Sequence, residues 1–422
     1  MHAGARSTMD FEDTPEEAVF RSEARAWLET KAVAKGVPGD FSMDWHEIVH
    51  APQAEQPRLA REHADRCRAW QRKLYDGGWA GLMWPETYGG RGLSPMQATI
   101  FAEEHARFGV ATDVFVVAIA MVGPTLIAHG SEEQKSRFLQ AILRGEHLWC
   151  QLFSEPGAGS DLAGLSTRAV RDGDEWVVNG QKVWTSNADT ADWGILLART
   201  DPDVPKHRGI TYFLVDMQSP GVEIRPLRQM TGESHFAEVF LTDVRLPADA
   251  VVGEPGSGWG VAMTTLANER AYIGGQGRFT SADLAGIARD AGCLDDPAVR
   301  QSLMRLHAAD QCLRFMGYRL RTALSRGTAQ GAEANCMKLL QARYLKDATA
   351  FAVAAQGPAG MLDGPTTARG GYWQHLFLQV PSIRIAGGSD EVQRNIIGER
   401  VLGLPGDVRV DKQVPFRELA HQ

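Results

Sequence analysis

The central part of this sequence has a different pattern from its two flanks. Short β-rich runs occur only between residues 149 and 252, and turn sequences such as Asn179-Gly180 separate them. The clearest runs lie at 176–178, 194–198, 210–215 and 238–241. We therefore predict an α+β multi-domain protein in which a small β-barrel or sandwich (149–252) lies between an N-terminal helical domain (1–148) and a C-terminal helical bundle (253–422). A chain of 422 residues is long enough for such an arrangement.

Composition excludes several classes of function. The net charge is −8 and no run of five basic residues occurs, which argues against nucleic-acid binding. The longest charge-free apolar stretch, 114–128, is too short to span a bilayer. The cysteines are few and widely spaced, so we expect buried thiols in a reducing compartment, and an acidic N-terminal region argues against a leader peptide. The expected location is the cytoplasm.

The stretch from Cys150 to Gly164 has the pattern of an anion-binding loop. An apolar run ends at Ser154 and Glu155, and Pro156, glycines and Ser160 follow. Glycines allow backbone N–H groups to approach a ligand, and consecutive N–H groups in such turns bind anions. Taken alone, the stretch is more typical of a polar hairpin loop without a ligand.

A second stretch, Gly180-Gln181-Lys182-Val183-Trp184-Thr185-Ser186-Asn187, follows closely. Together the two stretches resemble the acyl-CoA dehydrogenase family, and the resemblance continues through the loop at 84–92 and the run 393–405. It implies a helix–sheet–helix fold, an FAD cofactor and an acyl-CoA substrate. The first stretch would line the flavin through Gln151, Phe153, Ser154, Gly159 and Ser160, with Ser160 also near the CoA portion. Trp184, Thr185 and Ser186 would form the other wall.

The resemblance also indicates where the base would lie. Dehydrogenation of a thioester needs a base for the α-proton, a hydride acceptor and donors to the thioester oxygen. Much of the family carries the base near the C-terminus, at a position held here by Gly387, whereas a second group places a Glu before an Arg, as at Glu269 and Arg270. We therefore expect Glu269 to be the base and the Gly387 N–H to be a donor; the alternative is that Glu269 is an ordinary solvated or ion-paired helix residue.

The same resemblance implies further contacts. Ser389 and Glu391 would bind the adenosine half of FAD, and the predicted substrate-binding residues are Ser160, Asn268, Arg270 and Gly388. With Glu269 as base, the space at Gly387 would permit bulky or branched acyl chains.

Two departures from the family pattern concern the quaternary structure. No Arg-x-x-Phe-Gly occurs between Gly277 and Ala291, and the usual Gln-x-x-Gly-Gly-x-Gly is represented only by residues 354–360. In this the chain resembles a subgroup that includes heterotetrameric actinobacterial steroid-side-chain dehydrogenases, in which two different subunits share each FAD. We expect a homo- or hetero-oligomer, a dimer or tetramer, that passes electrons to an electron-transfer flavoprotein. The alternatives are a partner subunit without its own chemistry and a flavin oxidase or monooxygenase on the same fold.

One motif points to a different chemistry. His46-Glu47-Ile48-Val49-His50 matches the zinc-peptidase pattern, which requires a long helix and a third ligand. Because Pro52 closes the segment, we interpret it as a chance match and predict no metal site.

Overall fold

Helices occupy both ends of the chain and strands occupy its middle. The computed structural model describes residues 13–42, 44–273, 279–325, 333–362, 364, 367–406 and 408–419. Its helices are α1 (Pro15–Lys31), α2 (Asp44–His50), α3 (Gln56–Asp76), α4 (Pro95–His105), α5 (Gly123–His129), α6 (Glu132–Leu143), α7 (Gly258–Ile273), α8 (Ser281–Asp290), α9 (Pro297–Ser325), α10 (Glu333–Ala355), α11 (Tyr372–Ile383) and α12 (Asp390–Ile396). Its strands are β1 (Trp149–Leu152), β2 (Arg168–Asp172), β3 (Glu175–Ser186), β4 (Trp193–Arg199), β5 (Ile210–Asp216), β6 (Val222–Leu227) and β7 (Phe236–Pro247). The predicted fold class is confirmed.

The strands form one curled sheet. Its order is β1-β4-β2-β3-β7-β6, and β5 pairs with β4. Most neighbours are antiparallel, but β1 runs parallel to β4, and β2 joins β4 only through the parallel pair Arg168–Arg199. The apolar face of β4 and β5 packs against the N-terminal helices, and a second apolar cluster lies inside the curl around Phe213 and Val239. The sheet therefore holds β1 and β3, which carry both loop sequences, in one layer.

The three regions of the chain meet at a cluster of hydroxyl groups. Thr265 of α7 lies 2.9 Å from the hydroxyl oxygen of Thr125 on α5 and 3.2 Å from that of Tyr212 on β5. All three side chains are buried. Buried hydroxyls need partners, so this cluster fixes the rotation of α7 relative to the sheet.

The C-terminal helices pack around α10. This helix contacts α7, α9, α11 and α12, and its apolar face packs on Trp373 of α11. The sequence pattern assigned no helix to the segment that forms α11, which follows Gly370-Gly371 and contains Pro381. The apolar stretch 114–128 is not a single α-helix: the structure has a 3-10 turn at Asp113–Phe115 and a π-helix at Val116–Val122 before α5. Among the described residues, no helix combines the length and apolar character required to cross a membrane.

Candidate active site

The first loop is a tight turn closed by its own backbone. The amides of Glu155 and Ala158 each donate to the carbonyl of the other at 3.0 Å, which places Pro156 and Gly157 at the exposed tip. The next residues, Gly159 and Ser160, are exposed. A Cβ at Gly157 or Gly159 would meet no atom within 4 Å, so the space beside the turn is open.

A buried ion pair lies under this turn. The Lys182 ammonium, 0% exposed, lies 2.8 Å from Glu155 Oε1 and donates to the Phe153 carbonyl at 3.0 Å. Glu155 also accepts from the amides of Ser166 (2.6 Å) and Thr167 (2.9 Å). Although burial raises the pKa of the Glu155 carboxyl, the charge and hydrogen bonds of Lys182 outweigh it, so the net pKa is lowered; burial lowers the pKa of Lys182. The pair ties β3 to the turn.

The far end of the loop is held by a buried guanidinium. Arg199 donates to the carbonyls of Ala163 (2.7 Å), Leu165 (3.1 Å) and Lys206 (3.0 Å) and stacks on Phe416, with 3.4 Å between its Cζ atom and the ring centroid. Burial lowers the pKa of Arg199 to about 10. The sequence analysis missed Lys182, Glu155 and Arg199 as structural residues, and their signal was a charged residue inside each otherwise apolar or loop-forming segment.

The second stretch forms a wall with an exposed indole. The pairing of β3 with β7 shifts register between Lys182 and Thr185, and Trp184 has a φ of +61° in this irregularity. A positive φ is rare outside glycine and is strained for a bulky residue. The Trp184 side chain is 60% exposed and contacts the edge of the Phe236 ring, with centroids 5.9 Å apart. Backbone strain thus accompanies the presentation of a large apolar ring to solvent, which is typical of a ligand-binding wall.

Two predicted lining residues are buried. Thr185 is 0% exposed, and its hydroxyl oxygen has no hydrogen-bond partner within the part of the chain that the structure describes, whereas Trp184 is exposed and Ser186 is half-buried. The Phe153 ring is also buried and contacts the Tyr212 ring edge-on, with ring centroids 5.9 Å apart. The assignment of Phe153 and Thr185 to a flavin wall remains a prediction. Gln151 and Ser154 are half-buried.

The candidate base lies on α7. Glu269 is half-buried and stands one turn after Thr265, so the hydroxyl cluster orients the face that it shares. The buried Phe153 ring contacts Tyr212, and Tyr212 contacts Thr265, which connects the first loop to this face. Asn268 is half-buried, and the side chain of Arg270 lies outside the described residues.

The turn before α12 requires its two glycines. Gly387 and Gly388 have φ values of +63° and +88°, which glycine adopts without strain. Ser389 caps α12 by accepting from the Val392 amide at 3.3 Å. Glu391 is 73% exposed and lies 3.4 Å from Arg394.

A buried carboxylate fixes this turn to its neighbours. Asp390 lies 3.1 Å from Lys338 Nζ on α10 and 2.7 Å from Arg384 Nε. Because α10 also packs on α7, the glycine turn and Glu269 are held by the same helix. This network was not predicted from the sequence, since Lys338 lies 52 residues from Asp390.

A polar cluster that the sequence analysis did not anticipate lies in the N-terminal region. His63 Nδ1 is 3.1 Å from Asp44 Oδ2, and its Nε2 is 3.0 Å from Asp113 Oδ1. Cys67 Sγ is 3.4 Å from the same Nε2, so ligand atoms of His63, Cys67 and Asp113 lie close enough together to hold a metal ion. Of the zinc-peptidase pattern, His50 contacts the Gly370 carbonyl at 2.7 Å, and the side chain of His46 lies outside the described residues.

Known proteins are similar to this chain in sequence and fold. Sequence models of the acyl-CoA dehydrogenase N-terminal, middle and C-terminal domains match residues 44–146, 150–244 and 256–402. Acyl-CoA dehydrogenase IpdE1 of Mycobacterium tuberculosis is 41% identical over 396 residues, which cover 92% of this chain and 98% of the relative. The solved Tcur3481–Tcur3483 steroid ACAD has a TM-score of 0.80 and 32% identity and covers 94% of this chain and 100% of its own. The ChsE4–ChsE5 complex from Mycobacterium tuberculosis has a TM-score of 0.74 and 29% identity, with 94% and 100% covered.

Proposed function

Because the chain belongs to the acyl-CoA dehydrogenase family and is an oxidoreductase of that kind, we propose that it uses FAD to dehydrogenate an acyl-CoA thioester to the trans-2-enoyl-CoA. The observation that carries the proposal is the run of buried contacts from the first loop through Phe153, Tyr212 and Thr265 to the helix face of Glu269. This run joins a candidate cofactor loop to a candidate base.

The residues of the two stretches fit a flavin. Trp184 offers an exposed indole for a planar ring, Ser186 shares its face, and the space beside Gly157 and Gly159 is free of side chains. Backbone amides near Ser154 and Ser160 would supply hydrogen-bond donors to a bound flavin nucleotide. The half-buried Ser389 and the exposed Glu391 are proposed to contact the adenosine half. When bound, FAD supplies the acceptor for the β-hydride.

Two groups of the protein are proposed to remove the α-proton and to stabilise the negative charge that develops on the thioester oxygen. The Glu269 carboxylate removes the α-proton, which requires hydrogen-bond reach to that carbon in the bound thioester. The Gly387 N–H, held by the glycine turn, donates to the thioester oxygen, and loss of one such donor costs about 3 kcal/mol of transition-state stabilisation. Asn268, Arg270 and Gly388 are proposed to contact the substrate, as is Ser160.

The test is anaerobic flavin bleaching by a panel of acyl-CoAs. Wild-type protein is expected to bleach, while Glu269→Gln is expected to retain flavin but to bleach at least about 10³-fold more slowly, as expected when a general base is removed. Glu254→Gln, at an exposed loop position, is the matched control and is expected to behave as wild type. Bleaching at the wild-type rate by Glu269→Gln would remove Glu269 from the mechanism.

A half-site subunit is the second candidate, since the two solved structures named above are both two-protein assemblies. In that case an oligomer of two different chains completes each flavin site, and the separate chain purifies without flavin. Measuring the flavin content of the purified chain before and after a partner chain is added distinguishes a half-site subunit from a dehydrogenase that binds FAD alone. Fast reoxidation of the bleached flavin by air would favour an oxidase or monooxygenase, whereas reoxidation only by an electron-transfer flavoprotein would favour the dehydrogenase.

A further inference from the structure

Three groups of different chemistry converge beside α3. The Nε2 atom of His63 lies 3.0 Å from Oδ1 of Asp113, and Cys67 Sγ lies 3.4 Å from that nitrogen and 3.7 Å from that oxygen. His63 and Cys67 share one face of α3 because they are four residues apart, whereas Asp113 begins the 3-10 turn that leads into the π-helix. An imidazole, a thiolate and a carboxylate are the three kinds of side-chain ligand that bind zinc in proteins.

The three ligand atoms form a triangle with nearly the dimensions of one face of a zinc tetrahedron. Zn–N and Zn–O bonds are about 2.1 Å long, and Zn–S bonds are about 2.3 Å long. At tetrahedral angles, these lengths place nitrogen and oxygen about 3.4 Å apart and sulfur about 3.6 Å from either of them. The observed separations of 3.0, 3.4 and 3.7 Å differ from these values by no more than about 0.4 Å. A zinc ion therefore fits with only small shifts of the side chains.

The second ring nitrogen of His63 has the partner that a metal-ligating imidazole usually has. Its Nδ1 lies 3.1 Å from Oδ2 of the buried Asp44, and Arg66 Nη2 lies 2.6 Å from the same oxygen. A carboxylate at the far nitrogen fixes the ring orientation and makes the ligating nitrogen more basic. Arg66 balances the charge of Asp44, and a ligand set of one thiolate, one carboxylate and one neutral imidazole balances the two charges of Zn²⁺. The loaded site would therefore bury no net charge.

The burial of the three ligands gives the site an entrance. The His63 side chain is 9% exposed and Cys67 is 0% exposed, whereas the Asp113 side chain is 63% exposed. The triangle thus opens toward solvent at Asp113, where an ion can enter and where water can complete the coordination. A hydrogen bond between His63 and Asp113 accounts for the contact of those two residues without a metal. It does not require a buried thiol next to both of them, since a buried cysteine needs no polar partner.

We propose that His63, Cys67 and Asp113 bind one Zn²⁺ ion, with water as the fourth ligand. On binding, the Cys67 thiol releases its proton to solvent and its Sγ donates an electron pair to the ion, while the neutral imidazole binds through Nε2. The ion would tie α3 to the turn before the π-helix, on which α7 packs. The site lies outside the zinc-peptidase pattern at 46–50. It is also independent of the flavin chemistry, because none of the residues proposed for that reaction is a ligand.

The experiment measures metal binding by the flavin-loaded protein, with its partner subunit if one is needed to hold flavin. Protein purified without a histidine tag is stripped with a chelator and titrated with Co²⁺ and with Zn²⁺. Tetrahedral Co²⁺ gives visible d–d bands, and a cobalt–thiolate bond adds a near-ultraviolet charge-transfer band, both read in difference spectra against the metal-free protein. The variants are Cys67→Ser, Asp113→Asn and Asp44→Asn. The controls are Cys312→Ser, which changes an exposed thiol elsewhere, and His50→Gln, which changes the zinc-peptidase pattern.

The expected result is one zinc ion per chain, with a dissociation constant below about 1 µM at neutral pH, and a cobalt–thiolate band. Cys67→Ser should lose this band, and both Cys67→Ser and Asp113→Asn should bind zinc at least about 100-fold more weakly. Asp44→Asn should bind about 10-fold more weakly or less tightly still, because it supports the ring without touching the ion. Zinc should raise the melting temperature of the wild type and of both controls, but not that of Cys67→Ser.

Three results would overturn the inference. The first is wild-type protein that binds zinc more weakly than about 1 µM, and the second is bound cobalt without a thiolate band. Both are measured on the wild type, so a variant that fails to fold cannot protect the proposal. The third is zinc that is retained in Cys67→Ser or lost in His50→Gln, which would place the ion on other ligands. Flavin bleaching by acyl-CoA tests the proposed function separately and is expected whether or not zinc binds.

Discussion

Replacement of Lys182 by Met should destabilise the protein more than almost any other single loss of charge. Lys182→Met removes the ammonium from a pair that is 0% and 8% exposed and leaves Glu155 buried. Breaking a buried pair by removing one partner costs about 3–5 kcal/mol. Because two backbone amides still donate to Glu155, at 2.6 and 2.9 Å, we expect the lower end, about 3 kcal/mol.

This value corresponds to a modest shift in the melting temperature of so long a chain. With an unfolding entropy of about 2.1 cal/mol/K per residue, 3 kcal/mol lowers Tm by about 3 °C if the whole chain unfolds together. Urea unfolding of the flavin-free protein is therefore the more sensitive assay. Flavin retention should fall as well, since the pair anchors the turn that follows Phe153.

Two comparisons make the reasoning refutable. Lys135→Met is the matched control, because Lys135 pairs with Glu132 at 2.9 Å while Glu132 is 77% exposed, and such pairs contribute at most about 1 kcal/mol. The double variant Lys182→Met/Glu155→Gln should recover part of the loss, since no charge is left buried. If Lys182→Met cost no more than the control, or if the two single losses simply added in the double variant, burial of the pair would not be the cause.

Three other outcomes are expected. The pKa of Glu104 is lowered to about 2, chiefly by its hydrogen bond with Arg25. The ionised carboxylate therefore stabilises the fold fully above the unfolded-state pKa of about 4.3, and this stabilisation is lost as the pH falls through about 2. Glu104→Gln should flatten the pH dependence of the unfolding free energy between these two pH values. Gly123→Ala would place a methyl group in the ring of the buried Trp84 and should cost about 1–3 kcal/mol in urea unfolding. Trp184→Ala should weaken flavin binding at least about tenfold in a titration while it leaves the melting temperature of the flavin-free protein unchanged or higher, because the indole is exposed and its backbone strained.

The order of the regions could be predicted from sequence because local patterns determine it. Runs such as 194–198 and 210–215 form β4 and β5, since short runs of β-rich residues between turn signals rarely form anything other than strands. The helix α11 was not predicted because glycines precede it and Pro381 lies near its end, and both residue types usually indicate a helix break. The π-helix at Val116–Val122 was not predicted for a different reason: its wider turn leaves no signal in the sequence apart from apolar content.

The site could be predicted only as far as short motifs and family resemblance reach. Gly387 and Gly388 were named from the sequence, and their positive φ values now give a physical reason for glycine there. The supporting charges were not named, because charged residues are usually exposed, whereas Lys182 is fully buried. His63 and Asp113 are brought together by tertiary packing across 50 residues, which no periodicity in the sequence reveals.

The hydroxyl cluster has a consequence for how the protein loses its structure. Thr125, Tyr212 and Thr265 come from a helix of the N-terminal region, a strand of the sheet and a helix of the C-terminal region. Opening of the C-terminal region alone would remove the Thr265 partner of the buried Tyr212 hydroxyl, whereas Thr125 would still donate to the Met121 carbonyl. Cooperativity between the sheet and the C-terminal region is therefore supported by an uncharged contact, and amide exchange in β5 and α7 should share one opening free energy.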